Sequence, residues 1–393
     1  MNRFIYIVLL TSITSTCYTQ SIPIFLKSVK DNHPGIKAAR ELMEVGMADS
    51  KTGLSPDNPE INIGYFPGRP DAAGNKRVWE VSQSFDFPTR YARLKRLKAT
   101  NRELAELEYS NTILDLMSET RQLAIDLITE LKIYNKLEAR WEEFTRLESA
   151  YSKLLINGEV TIIDYNKINI RLTEIKLLLT NAKERIIGLE NMLDYMSGNQ
   201  SFVLKDASYP AFTQLEKEVL LEKRKIEHPA FLIPLKRIEM AEKGIDLSKT
   251  GKLPGFEIGY ASELVANEEF IGPTIGLTLP LWENKGKVEV ARAIKSYEES
   301  SATHELMALE MEFKRDYETF GIVNDNLREI NSLVSGSVNR DLLMKAFESG
   351  ELSLTDYLFE LITFYDIEDL QLNLEKRYYK LQSALYNHEL LRE

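Results

Sequence analysis

Four histidines and one cysteine are all the imidazole and thiolate metal ligands this chain carries. His304-Glu305 and His388-Glu389 open like a zinc-protease helix, where two histidines one turn apart hold the metal and the intervening glutamate is the base. Ala308 and Arg392 occupy the places where the second histidines must fall, so neither pair forms and both histidines are read as solvated helix residues. His33 and His228 each precede a proline, which forces them toward extended backbone at a helix opening. The sequence also has no Walker-type phosphate loop, no glycine-rich dinucleotide fingerprint after a strand and no Gly-x-Ser-x-Gly elbow. The expectation is therefore no enzyme, no metal centre and no cofactor.

What the chain does carry is a repeated polar turn. Gly158-Glu159-Val160-Thr161-Ile162-Ile163-Asp164-Tyr165 recurs as Gly350-Glu351-Leu352-Ser353-Leu354-Thr355-Asp356-Tyr357, at a constant separation of 192. Each glycine can take the left-handed conformation that ends a helix and reverses the chain. Thr161 and Ser353 then stand as N-caps, with Asp164 and Asp356 three residues on, in a first helical turn where the dipole favours acid. Capping is a sufficient reason for both aspartates.

Long helices must present those turns. All thirteen prolines fall within 23–88 and 210–280, which leaves 89–209 and 281–393 free of the residue that costs a helix interior roughly 3 kcal/mol. Leu116, Leu123, Leu127, Leu131, Tyr134, Leu137, Trp141, Phe144, Leu147, Tyr151 and Leu154 keep mostly three-and-four spacing, and a second stripe runs from Ile168 to Leu193. A helix from about Thr89 to Ile156 spans roughly 100 Å at 1.5 Å per residue, so an elongated molecule is expected. Charge runs such as Lys95-Arg96 and Glu142-Glu143 read as solvated faces.

The halves repeat elsewhere as well. His33-Pro34 recurs as His228-Pro229, Lys51-Thr52-Gly53 as Lys249-Thr250-Gly251, Ile63-Gly64-Tyr65 as Ile258-Gly259-Tyr260, and Phe87-Pro88 is answered by Leu279-Pro280. Between them lie segments that alternate with period two. Trp79, Val81, Phe85 and Phe87 oppose Glu80, Ser82, Ser84 and Asp86; Phe256, Ile258, Tyr260 and Leu264 oppose Glu257, Gly259, Ala261 and Glu263; Ile271, Ile275, Leu277 and Leu279 oppose Gly272, Thr274, Gly276 and Thr278. Pro67-Gly68-Arg69-Pro70 through Gly74-Asn75, and Asn267-Glu268-Glu269, supply the turns. Each half thus offers one hairpin with strands of about ten residues, the length that crosses a bilayer when tilted. Four strands cannot close a membrane barrel, whose smallest form has about eight, so a membrane reading requires several chains to share one wall.

Composition narrows the partners. With 44% hydrophobic and 28% charged residues the chain can build a large core, and a net charge of −11 without a basic face excludes nucleic acid. Arg3 ahead of the apolar run Phe4 to Leu10 reads as an export signal. Cleavage after Thr19 is the expectation, with lipid attachment to Cys17 the alternative, disfavoured by Thr14-Ser15-Thr16. No segment approaches the eighteen or so apolar residues of a spanning helix. The organisation expected is a signal at 1–19, a first repeat at 20–211 (hairpin 60–87, helical hairpin 89–198) and a second at 212–393 (hairpin 255–280, helical hairpin 282–391).

The duplicated turns, the Gly276-Leu277-Thr278-Leu279-Pro280-Leu281 strand end running into Lys287 to Ala293, and the His-Pro helix openings together resemble the outer-membrane efflux proteins of the TolC type, across essentially the whole mature chain. The resemblance implies a mainly α chain with membrane β structure. Three copies would join four strands each into a twelve-stranded outer-membrane barrel above an α-helical barrel in the periplasm. It further implies outer-membrane lipid, a periplasmic adaptor (membrane fusion) protein and an inner-membrane transporter of the resistance-nodulation-division type as partners. The short chain is most similar to the heavy-metal cation-efflux branch; drug efflux and type I secretion are alternatives of the same fold, and a soluble periplasmic coiled-coil scaffold is the alternative of another class. By the same resemblance Gly158, Thr161, Asp164, Gly350, Leu352, Ser353, Asp356 and Phe359 would form the tip, gate and adaptor-docking region, and Tyr65, Trp79, Phe85, Phe87, Tyr260 and Phe270 an aromatic girdle, with Phe66 and Trp282 nearby. Leu352 and Phe359 stand where the family pattern has an arginine and an aspartate, so the expectation is that Leu352, Leu354 and Phe359 replace a polar latch by apolar packing.

Overall fold

The computed structural model describes residues 22–69, 74–199, 208–336 and 340–392. The expected export signal and Cys17 lie outside the described residues, as do positions 70–73 of the first hairpin's turn. The first half folds as α1 (Ile22–Asn32), α2 (Pro34–Asp49), β1 (Glu60–Phe66), β2 (Lys76–Phe85), α3 (Pro88–Ile156) and α4 (Ile162–Met196). The second follows the same order with α5 (Lys217–Glu227), α6 (Pro229–Thr250), β3 (Gly255–Val265), β4 (Glu268–Thr278), α7 (Lys287–Gly336), α8 (Arg340–Glu348) and α9 (Leu354–Leu385), closed by a short 3-10 helix at Asn387–Arg392.

Proline opens three of these helices. Pro34, Pro88 and Pro229 each take the first helical position, where the missing N–H has no intrahelical acceptor to lose. His228 is extended, with φ −82° and ψ 121°, and its Nδ1 accepts the Ala230 N–H at 3.2 Å, so it caps α6. From Pro88, α3 runs 69 residues without a break, about 100 Å by helical rise.

The second long helix departs from expectation at its start. It begins at Lys287 because Gly286 sits at φ +84°, outside the right-handed helical region. It is described as far as Gly336, and the described chain continues at Arg340 with the nine-residue α8.

All four strands form one antiparallel sheet in the order β1-β2-β3-β4, with β1 and β4 at its open edges. The β3–β4 reversal is tighter than the sequence suggested. Ala266 and Asn267, at φ +51° and +68°, make the two-residue turn, and Glu268 and Glu269 already belong to β4. In the first hairpin Gly74 takes φ +107° and Asn75 Oδ1 accepts the Gly68 N–H at 3.1 Å.

Contacts divide the chain into two units that both draw on each half of the sequence. One comprises the chain up to His33, Leu116–Thr213 and the chain from Thr319; the other comprises Pro34–Asp115, with the first hairpin, and Gln214–Glu318, with the second. In the first unit α3, α4 and α9 surround a core of Phe144, Ile168, Ile175, Leu354, Tyr357, Leu358, Leu361 and Tyr365. In the second, the sheet adjoins the N-terminal stretch of α3, with α2, α5, α6 and most of α7.

Candidate functional site

The pairing register sorts the sheet into two faces. Ile61, Ile63 and Tyr65 align with Val81, Trp79 and Arg77; these align with Tyr260, Ser262 and Leu264, and Phe256 and Ile258 align with Leu277 and Ile275. This face is mainly apolar, with Arg77, Gln83, Ser262 and Glu269 as polar members, and it is open to its surroundings, with Ile63 at 82% and Ile275 at 86% exposure. Trp79 and Tyr260 lie diagonally across it with ring centroids 6.2 Å apart. The opposite face carries Glu60, Glu80, Glu257, Glu263, Ser82 and Thr274 among Gly64, Gly259, Ala261, Gly272 and Gly276. Thr274 donates to Glu80 at 3.2 Å, and Lys76 pairs with Glu263 at 2.6 Å.

Four of the six expected girdle residues, Tyr65, Trp79, Phe85 and Tyr260, share the apolar face. Phe87 lies beyond the end of β2, its ring tilted over Phe256 at 6.1 Å. Phe270 is a correction. It pairs with Glu263 on the polar face, because the tight turn at Ala266-Asn267 sets the parity of β4 so that Ile271 takes the apolar side. Phe66, one residue past Tyr65, also falls on the polar face.

The turn between α3 and α4 and the turn between α8 and α9 have the same construction. Gly158 and Gly350 adopt φ +75° and +79°. Glu159 N–H bonds the Leu154 carbonyl and Gly158 N–H that of Leu155; Glu351 and Gly350 repeat this on Ala346 and Phe347, which is the Schellman closure. Thr161 Oγ1 accepts the Asp164 N–H and donates to Asp164 Oδ2 at 2.7 Å; Ser353 does the same with Asp356, at 2.6 Å for the hydroxyl bond. Those bonds to Thr161, with Lys167 at 3.2 Å, hold the Asp164 carboxyl below its ordinary range. Its support for the cap is present at neutral pH and is lost only as the pH falls through that lowered value. Lys167 also donates to Thr355 Oγ1 at 3.0 Å, which sets the first turn beside the second.

A Cβ at either turn glycine meets nothing within 4 Å, so substitution is penalised by backbone conformation alone. Gly158→Ala and Gly350→Ala are each expected to destabilise by about 1–2 kcal/mol, read from denaturant midpoints, with no change in oligomeric state.

Leu354 is not available at a mouth, since it is buried in the subunit's own core. Leu352 is half-buried, and Phe359, at 69% exposure, is the apolar side chain this turn leaves outside. Glu143 corrects a second expectation. Glu142 is exposed, but Glu143 turns inward, accepting from Tyr357 at 3.2 Å and Tyr365 at 2.7 Å and pairing with Arg340. One turn away, Arg140 forks onto Asp369 at 2.8 and 3.0 Å, reaches Glu368 at 3.2 Å and lies 4.2 Å over the Tyr365 ring, while Lys136 pairs with Glu368. Burial among these groups raises the Tyr365 hydroxyl's pKa, so it stays a donor at any physiological pH. Of the histidines, His304 is exposed as expected, but His388 is 1% exposed within the 3-10 helix, beside buried Leu390.

Among the described residues no group of His, Cys, Asp and Glu could hold a metal ion, and no helix is long and apolar enough to cross a membrane. No protein-family model and no curated protein matches the sequence. Solved structures do. A membrane protein from Pseudomonas aeruginosa superposes with a TM-score of 0.79 at 13% identity, covering 93% of each chain. CusC, described for its transmembrane channel formation, gives 0.77 at 12% identity over 94% of this chain and 91% of its own. The open state of the Neisseria gonorrhoeae MtrE outer-membrane channel gives 0.75 at 11% identity over 93% and 88%. This chain has the TolC-type outer-membrane channel fold.

Within that channel fold the polar network of Arg140, Glu143, Glu368 and Asp369 is what sequence reading missed. A charge on a helix looks the same whether it faces water or a partner two hundred residues on. The one available sign was Arg140 and Glu143 standing three apart on the edge of the apolar stripe that Leu137, Trp141 and Phe144 define.

Proposed function

We propose that this protein is the outer-membrane channel of a tripartite efflux system, passively conducting cargo from an inner-membrane pump and periplasmic adaptor to the exterior. The observation that carries this reading is the sheet: four strands with two open edges and one exposed apolar face. Hydrocarbon tolerates no open edge, so the wall must be closed by further copies. Two copies would give eight strands, an interior that side chains fill; three give twelve and leave a conduit, widened by the glycines of the polar face. The homotrimer sits in the outer membrane with its helices in the periplasm. The turns at Gly158 and Gly350 form its inner mouth, with Asp164, Asp356, Leu352 and Phe359 there to meet the adaptor.

The cargo is cationic, with heavy-metal ions handled by a pump of the resistance-nodulation-division type as the leading case. Support comes from the charge of the chain, −11, and from Glu60, Glu80 and Glu257 on the polar face of the sheet, which would line the pore in every copy. In planar bilayers under a potassium chloride gradient the reversal potential is expected to show cation preference. Glu80→Gln with Glu257→Gln should move it toward zero without changing assembly.

The deciding experiment is fractionation of cells making the full chain. Extraction from outer membranes by detergent alone, with a heat-modifiable trimer on gels and channel conductance, is the expected result. A monomer that dissolves without detergent would overturn the reading.

A further inference from the structure

Proline stands in the middle of an otherwise unbroken ladder. Pairing between β3 and β4 is continuous from Gly255↔Thr278 to Val265↔Glu268, and Pro273 sits opposite Tyr260 within it. Proline has no N–H, so it can occupy a ladder only where the backbone groups point away from the partner strand. Residues of an antiparallel strand alternate in this respect. Pro273 therefore fixes the parity of the whole edge: the amides of Glu269, Ile271, Ile275 and Leu277 point to the open side of β4, while those of Phe270, Gly272, Thr274 and Gly276 point to β3. Carried through Tyr260↔Val81 and Val81↔Ile61, the same alternation leaves Ile61, Ile63 and Tyr65 pointing outward from β1 at the opposite edge.

These two edges are complementary. Their strands run in opposite directions, so β4 of one copy can accept β1 of the next as an antiparallel neighbour, and the exposed apolar face continues across the join. β1 offers three outward residues and β4 five, counting Pro273. Any register that pairs all three β1 residues with consecutive outward positions of β4 includes position 273. Pro273 thus always faces Ile61, Ile63 or Tyr65, and the carbonyl of that residue finds no donor.

We propose that Pro273 makes the β4–β1 seam between successive copies the weakest line of the wall, short of one hydrogen bond at each junction. The same gap discourages single chains from pairing edge to edge before assembly, where a complete row of donors would invite it. This rests on the trimer proposed above.

The test uses the full chain purified in detergent, with trimer dissociation followed by gel during a temperature series. Pro273→Ala restores a donor at every junction and should slow dissociation about twenty-five-fold, the effect of one added hydrogen bond at each of the two junctions a leaving subunit must open. In the two of the three registers that pair Ile275 with β1, Ile275→Pro removes a second outward donor and should speed dissociation by a similar factor while still assembling. Thr274→Pro removes an inward donor, breaks the hairpin and should yield no assembled form. Equal dissociation of Pro273→Ala and wild type would overturn the seam, as would equal damage from Ile275→Pro and Thr274→Pro. A wild-type protein that is monomeric in detergent would instead overturn the trimer on which the seam depends.

Discussion

Ile258→Arg is expected to abolish assembly in the membrane. Ile258 lies on the central strand β3, on the apolar face, between Gln83 of β2 and Ile275 of β4. In the proposed trimeric barrel Ile258 faces lipid, where an arginine costs up to about 2–4 kcal/mol, and three copies bear that three times. The folded stability of a domain is only about 5–15 kcal/mol, so the sum removes most of what holds the barrel in place. A nearby residue of opposite parity supplies the control. Ala261 is on the other face of the same strand, and Ala261→Lys should insert normally, since a lumen-facing charge stays in water. Heat-modifiability of the outer-membrane fraction reads both variants. If Ile258→Arg assembled and Ala261→Lys did not, the two faces would have to be exchanged and the pore would be lined by the apolar side.

The second large effect is expected at Glu143. Glu143→Ala leaves Arg340 without its counter-charge and the Tyr365 hydroxyl without its acceptor, while Tyr357 keeps only the weak contact to Met344 Sδ at 3.6 Å. Breaking a buried pair from one side costs about 3–5 kcal/mol; because the Arg340 side chain is 38% exposed and can turn to water, the lower end applies, about 3 kcal/mol. The adjacent exposed Glu142 gives the contrast, with Glu142→Ala expected within about 0.5 kcal/mol of wild type. Denaturant unfolding of the detergent-solubilised protein measures both. Similar midpoints for the two variants would mean that Glu143 is solvated after all.

Much of this was legible in the residues. The helix from Pro88 to Ile156 followed from absent prolines and a stripe of leucines, and its start moved by one residue only because Pro88 is itself the first helical position. The two turns were legible because glycine, a hydroxyl and an aspartate at fixed spacing leave the backbone few other ways to satisfy its donors and acceptors. The strands showed their alternation, but alternation fixes faces only within a strand. Where a reversal lies decides which residues share a side, and moving it to Ala266-Asn267 placed Phe270 with the glutamates. Long-range charge matching was the least visible. Nothing near Glu143 in sequence announces Arg340, and nothing near His388 announces that it lies in the interior with Leu390.

The ion pairs of the first unit bear on how the protein is made. Lys132, Lys136, Arg140 and Glu143 all lie on α3, and each finds its opposite charge beyond residue 339, on Glu375, Glu368, Asp369 and Arg340. A nascent polypeptide that has just completed α4 therefore holds a row of unmatched ions and a half-built apolar groove. Such an intermediate is sticky and unfinished until the last long helix is synthesised. A gene truncated at mid-length is accordingly expected to yield proteolytic debris rather than half of a working molecule.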